Sequence, residues 1–109
     1  MPKASKMKIY NKLVRDKIPQ IIQKTGKKPV TKIFSTAEYK KALDNKLVEE
    51  IKEYSKSKSA EELADIEEVI LAILKSRKIL IKDFDKLRES KARERGKFNK
   101  RIKLIRVED

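Results

Sequence analysis

Among the 109 residues of this chain there is no cysteine and no histidine. Without thiols there can be no disulfide, no zinc–thiolate site and no cysteine nucleophile, a pattern that fits a cytosolic protein. Without imidazole there is no Ser-His-Asp relay, no histidine metal ligand and no histidine general base. Long apolar runs are missing too. No stretch approaches the roughly 18 residues that would suggest a membrane span. The opening MPKASKMKIY is basic but lacks the apolar core of a signal peptide. The expectation is a soluble, cytoplasmic protein with no membrane partner.

Charge dominates what is present: 43% of residues are charged and 39% hydrophobic. One domain spanning residues 1–109 is expected, large enough for a modest core. Once each helix has covered one side, little apolar material remains. Assembly into a homodimer or homotetramer, with helices from different chains completing a common core, is therefore expected. The 30 Lys+Arg against 17 Asp+Glu give a net charge of +13. That balance attracts polyanions, whether nucleic acid, nucleotides or an anionic membrane surface, and does not by itself choose among them.

Local signals divide the chain into helices. Residues 1–8 read as a loose basic arm and residues 9–14 as a short strand or an ordered lead-in. Asp16 can cap a short helix with Pro19 in its first turn, burying Ile18, Ile21 and Ile22 and stopping at Gly26. Ser35 and Glu38 have the S-x-x-E spacing of a capping box, which predicts a helix over residues 36–55. Leu43, Leu47, Ile51 and Tyr54 form its buried stripe. Ser59 and Glu62 repeat the spacing and predict a helix over residues 60–77. Its second half is apolar almost all round, as suits the centre of a bundle or a subunit interface. A last helix over residues 83–95 should bury Phe84, Leu87 and Ala92 and end at Gly96. Residues 30–34 and 100–107 are rich enough in Ile and Val to pair as a small terminal β-ribbon. The fold class expected is all-α, a helical bundle completed by oligomerisation with that ribbon as an accessory.

Residues 46–72 hold most of the closely spaced acids and set them against Leu, Ile and Val. At 100° per residue, Glu50 falls about 60° from Leu47 at the edge of the buried stripe, and Glu53 about 60° further out. Glu49 points nearly opposite to Leu47 and, like Glu61, reads as a solvated surface acid. On the next helix Glu62-x-x-Asp65 repeats the step. Asp65 shares its arc with Glu62 and the apolar Ile66, Val69 and Ala72. An isolated ionised acid there is costly unless something compensates it.

Two readings meet that requirement. The acids can pair with the plentiful lysines, as Glu49 with Lys46. Alternatively Glu50, Glu53, Glu62 and Asp65 converge on a divalent cation. With no His or Cys, the ligands would be carboxylate oxygens and water, which suit Mg²⁺ or Mn²⁺ better than zinc or copper and point towards phosphate chemistry.

The pattern EExxE followed by ExxD, here Glu49-Glu50-Ile51-Lys52-Glu53 and Glu62-Leu63-Ala64-Asp65, resembles the all-α nucleoside triphosphate pyrophosphohydrolases typified by MazG. YNKLVRDKIP from Tyr10 to Pro19, and Arg95-Gly96-Lys97-Phe98 leading to Arg101-Ile102, resemble the small MazG-like proteins described as phosphoribosyl-ATP pyrophosphohydrolase-like. The resemblance implies a MazG-like bundle and Mg²⁺-dependent hydrolysis of a nucleoside triphosphate between the α and β phosphates. The products would be a nucleoside monophosphate and pyrophosphate, and clearance of unusual nucleotides is one role for such an activity. It further implies Glu50, Glu53, Glu62 and Asp65 as metal ligands, with Glu53 the first choice as proton acceptor and Glu50 its catalytic companion. Glu49 matches an acid of the motif without an assigned role.

In this scheme Arg15, Lys12 and Lys17, together with Arg93, Arg95 and Lys97, could clamp the triphosphate, the arginines bidentately. The plainer reading of such residues is solubility. Tyr10, Phe34, Tyr39 and Phe98 could stack on a base, although core packing is the commoner role for aromatics in a small domain. Two other functions stay open: a basic nucleic-acid-binding module, and a non-catalytic interaction protein on the same fold.

Overall fold

Local capping chemistry accounts for most helix boundaries. In the computed structural model, which describes residues 7–109, four α-helices are present and no strand occurs among the described residues. Residues 1–6 of the expected basic arm lie outside that range.

Helix α1 (Ile18–Lys24) carries Pro19 in its first turn, where a missing N–H costs nothing. Asp16 does not cap it. Lys17 occupies the N-cap position without a side-chain hydrogen bond, and the chain enters through a turn in which the Ile18 N–H donates to the Arg15 carbonyl at 3.1 Å. Beyond α1, Gly26 takes φ +86°, a left-handed conformation that disfavours side chains. Ile18 and Ile22 are half-buried, whereas Ile21 is exposed, contrary to expectation.

Helix α2 (Thr36–Ser57) opens on a complete capping box: the Glu38 N–H donates to Ser35 Oγ at 3.2 Å and the Ser35 N–H donates to Glu38 Oε1 at 3.0 Å. It ends at Lys58, left-handed at φ 56°. Helix α3 (Ala60–Ser76) follows so closely that the two form an antiparallel hairpin. Lys40, Leu43 and Asp44 near the start of α2 accordingly face Ile73, Ser76 and Arg77 at the end of α3. This hairpin is the one extensive helix–helix packing among the described residues. Its core is small: Leu43, Val69 and Leu74 are 3%, 8% and 5% exposed. Leu47 and Tyr54 are half-buried, but Ile51 is exposed. A single neighbouring helix covers only part of the predicted stripe.

Helix α4 (Ile81–Arg95) starts before Asp83, which lies in its first turn where a carboxylate favours the positive end of the helix dipole. It ends at Gly96, φ +84°. Phe84 and Ala92 are half-buried and Leu87 is exposed, so α4 buries no side chain fully.

The expected β-ribbon does not form. Residues 30–34 and 100–107 lie outside any ladder, with Val30, Ile33, Ile102 and Leu104 exposed. Interspersed lysines and arginines leave neither segment a continuous apolar face, and a two-stranded ribbon without one is marginal. Residues 9–14 are likewise a non-strand lead-in. The outline is long, 76 × 31 × 25 Å, with a radius of gyration of 19.8 Å. A compact domain of this length would have roughly 13 Å. Among the described residues, no helix is long and apolar enough to cross a membrane.

Candidate metal centre

The hairpin brings the second half of α2 against the first turns of α3, and this register creates the acid cluster. One carboxylate oxygen each from Glu50, Glu62 and Asp65 lies within 4.8 Å of the other two. Glu50 is only 9% exposed, and Glu62 and Asp65 are half-buried. Three of the four predicted ligands thus meet. Glu53, a further step outward on the wheel, is exposed and stands outside the three-way cluster, although its charge still reaches Glu62.

The cluster is partly compensated by cations. Arg15, from the segment before α1, donates from Nη2 to Asp65 Oδ1 at 2.6 Å. Lys46, one turn before Glu50 on α2, places Nζ 3.3 Å from Glu50 Oε1 and 3.4 Å from Glu49 Oε2. Among the described residues no lysine or arginine lies within ion-pair distance of Glu53 or Glu62. Glu62 shows the consequence. Burial first, then the charges of Asp65, Glu50 and Glu53, push its carboxyl above the ordinary range.

Glu62 also explains why the second capping box is incomplete. Its N–H donates to Ser59 Oγ at 3.3 Å, but its carboxylate does not return to the Ser59 N–H, which donates instead to Ser57 Oγ at 3.2 Å.

Glu49 departs from its expected place. It is half-buried and accepts from Lys12 Nζ at 2.7 Å as well as from Lys46. Burial pushes its carboxyl up, but the two lysines outweigh burial and hold it below the ordinary range. The same contact, against the opposing effect of burial, raises the Lys12 ammonium. Wheel geometry missed this because Lys12 arrives from 37 residues away. The second contact of Lys46, to Glu50 four residues on, was visible as an i, i+4 spacing.

The other predicted phosphate contacts are not gathered at the acids. Lys17 sits exposed at the N-cap of α1, and Arg95 and Lys97 flank Gly96 beyond the packed part of α4, with no ion pair among the described residues. Phe34 and Tyr39 are half-buried. Tyr10 and Phe98 are exposed and do not serve as core. Lys8 and Lys12 lie 5.1 and 5.9 Å from the Tyr10 ring centre.

Chemically, three convergent carboxylates form a hard, all-oxygen donor set, two of its members held by exchangeable cations and the third crowded by like charge. The set fits Mg²⁺ or Mn²⁺ with water completing the shell.

No family model matches the chain, and no solved structure matches it. An uncharacterized protein of Mycolicibacterium smegmatis is 51% identical over 41 residues, which amount to 38% of this chain and 42% of that protein. The match therefore spans less than half of either chain.

Proposed function

We propose that this protein is a Mg²⁺-dependent nucleoside triphosphate pyrophosphohydrolase, cleaving between the α and β phosphates to release a nucleoside monophosphate and pyrophosphate. The observation that carries the reading is the convergence of Glu50, Glu62 and Asp65 within 4.8 Å. The working form would be a cytoplasmic homodimer or homotetramer on a MazG-like bundle, and Mn²⁺ is an alternative ion.

Glu50, Glu62 and Asp65 would hold the ion, with Glu53 at the rim. Bound there, Mg²⁺ would neutralise phosphate charge and lower the pKa of a water. Glu53, exposed and without a cation partner among the described residues, would accept the proton of the attacking water. Arg15 now pairs with Asp65. Released by a competing cation, its guanidinium would be free to bind a phosphate by planar bidentate donation. Lys12 adds positive charge at the same end of the hairpin.

The test is pyrophosphate release from a panel of standard and modified NTPs and dNTPs, with and without Mg²⁺. Turnover of at least one nucleotide that depends on the ion is expected. No turnover across the panel would overturn the reading.

The net charge of +13 favours one second reading, a nucleic-acid-binding module. Such binding would weaken steeply with salt and be indifferent to Mg²⁺ beyond its ionic strength.

A further inference from the structure

We infer that the apolar groove between α3 and α4 is a docking surface for a second copy of this chain, and that the element seated in it is the other copy's 97–107 segment. This extends the self-association proposed above and is independent of the nucleotide reading.

The groove is lined by Leu63, Ile66, Ile70 and Leu71 of α3 and by Ile81 and Phe84 of α4, and is an open depression of about 420 Å³. It lies apart from the core contacts of the hairpin, in which Val69 and Leu74 are buried. Leu63 and Ile81 remain exposed. An apolar surface of this kind on a highly charged chain marks an interaction site.

Charge selects the occupant. Two molecules of net charge +13 repel, so self-association requires local complementarity. The groove provides acids at Glu67 and Asp85. The 97–107 segment supplies the opposite character. It carries five lysines and arginines, and its Phe98, Ile102 and Leu104 are 95%, 80% and 77% exposed. Its backbone is not engaged in any ladder. Basic side chains for the acids and apolar ones for the groove therefore occur together on one unpartnered stretch.

Helix α4 favours the other copy as its source. Phe84 lines the groove, and the helix then runs to Gly96, about 18 Å further along its axis at 1.5 Å per residue. The segment is thus carried away from its own groove. Two α4 arms laid antiparallel about a two-fold axis bring each segment to the other copy's groove, giving a closed, isologous exchange.

The absence of cysteine makes a crosslinking test unambiguous. Full-length Leu63→Cys and Leu104→Cys proteins, mixed and oxidised, should form a mixed disulfide faster than either protein alone forms its own. In sedimentation equilibrium, Phe98→Asp and Leu63→Asp should each raise the dimer dissociation constant by about tenfold or more. If the double variant Leu63→Cys/Leu104→Cys instead closes within one monomer at high dilution, the segment belongs to its own groove and the inference is overturned. A wild-type chain that stays monomeric at all concentrations overturns both this inference and the proposed assembly. A dimer whose affinity ignores both substitutions overturns only the inference, leaving the assembly to another surface.

Discussion

Two places in this molecule carry the same four-residue signal and put it to different use. Ser35-x-x-Glu38 opens α2 and Ser59-x-x-Glu62 opens α3. At the first, Glu38 folds back onto the Ser35 N–H, with Lys32 nearby at 3.4 Å, and these contacts hold its carboxyl below the ordinary range. At the second, Glu62 turns away from its cap towards Glu50 and Asp65, and its carboxyl is pushed above that range. A helix start exposed to water uses its glutamate for local hydrogen bonding. A start packed against another helix can commit the same residue to a costly cluster, which is where a function is expected.

The strongest way to break the comparison is to measure turnover. Asp65→Asn and Glu50→Gln should each lower Mg²⁺-dependent pyrophosphate release on the order of a hundredfold or more. Glu38→Gln should leave it unchanged, with circular dichroism confirming the helices in all three. Equal losses at Glu38 would erase the functional distinction between the two helix starts.

Stability sharpens it next. Ser35→Ala removes the hydroxyl of a complete capping box and should cost about 1 kcal/mol in urea unfolding. Ser59→Ala should cost less, because the reciprocal glutamate bond is already missing there.

Substituting the glutamates should then produce opposite signs. In metal-free protein at neutral pH, Glu62→Gln should raise the unfolding midpoint by removing like-charge crowding, while Glu38→Gln should lower it. Mg²⁺ should raise the wild-type midpoint and have little effect on Asp65→Asn, since an ion that binds only the folded state stabilises by mass action.

The pH dependence follows from the same two shifts. The raised Glu62 holds its proton longer when folded than when unfolded, so its contribution favours folding at low pH and is lost as pH rises through its folded pKa. For the lowered Glu38 the contribution is present above the unfolded glutamate value and is lost as pH falls through the folded pKa. Carboxyl-detected NMR titration of the metal-free protein should place the two midpoints on opposite sides of a free glutamate. Midpoints on the same side would contradict the contrast.

The smallest effect should come from Arg15→Ala. Its ion pair with Asp65 is about half exposed and should contribute under about 1 kcal/mol to unfolding in 0.15 M salt.

Much of the local structure was legible in the chain. Ser35, Ser59 and Gly96 mark helix ends because capping and left-handed turns depend on groups within about four residues of one another. The boundaries of α2 and α3 followed to within a residue or two. Asp16 misled because a start signal competes with the turn the chain enters from, and that turn placed Lys17 at the cap. The ribbon over residues 30–34 and 100–107 failed for a longer-range reason: β-branched residues favour extension, but pairing also needs an apolar face to hold the strands.

The absence of cysteine and histidine determined, without any structure, that a metal site here could be made only of oxygen ligands. Wheel angles also set Glu50, Glu53, Glu62 and Asp65 at the edge of apolar arcs and Glu49 and Glu61 on the surface, of which Glu53 is instead exposed and Glu49 half-buried. Tertiary structure alone decided that Glu50, Glu62 and Asp65 meet while Glu53 remains at the rim, that Arg15 reaches Asp65, and that Glu49 is held by Lys12. The reason is one of range. Helix periodicity assigns each side chain a direction, but the distance between two directions on separate helices is set by the hairpin's register and by a segment crossing it from as much as 50 residues away.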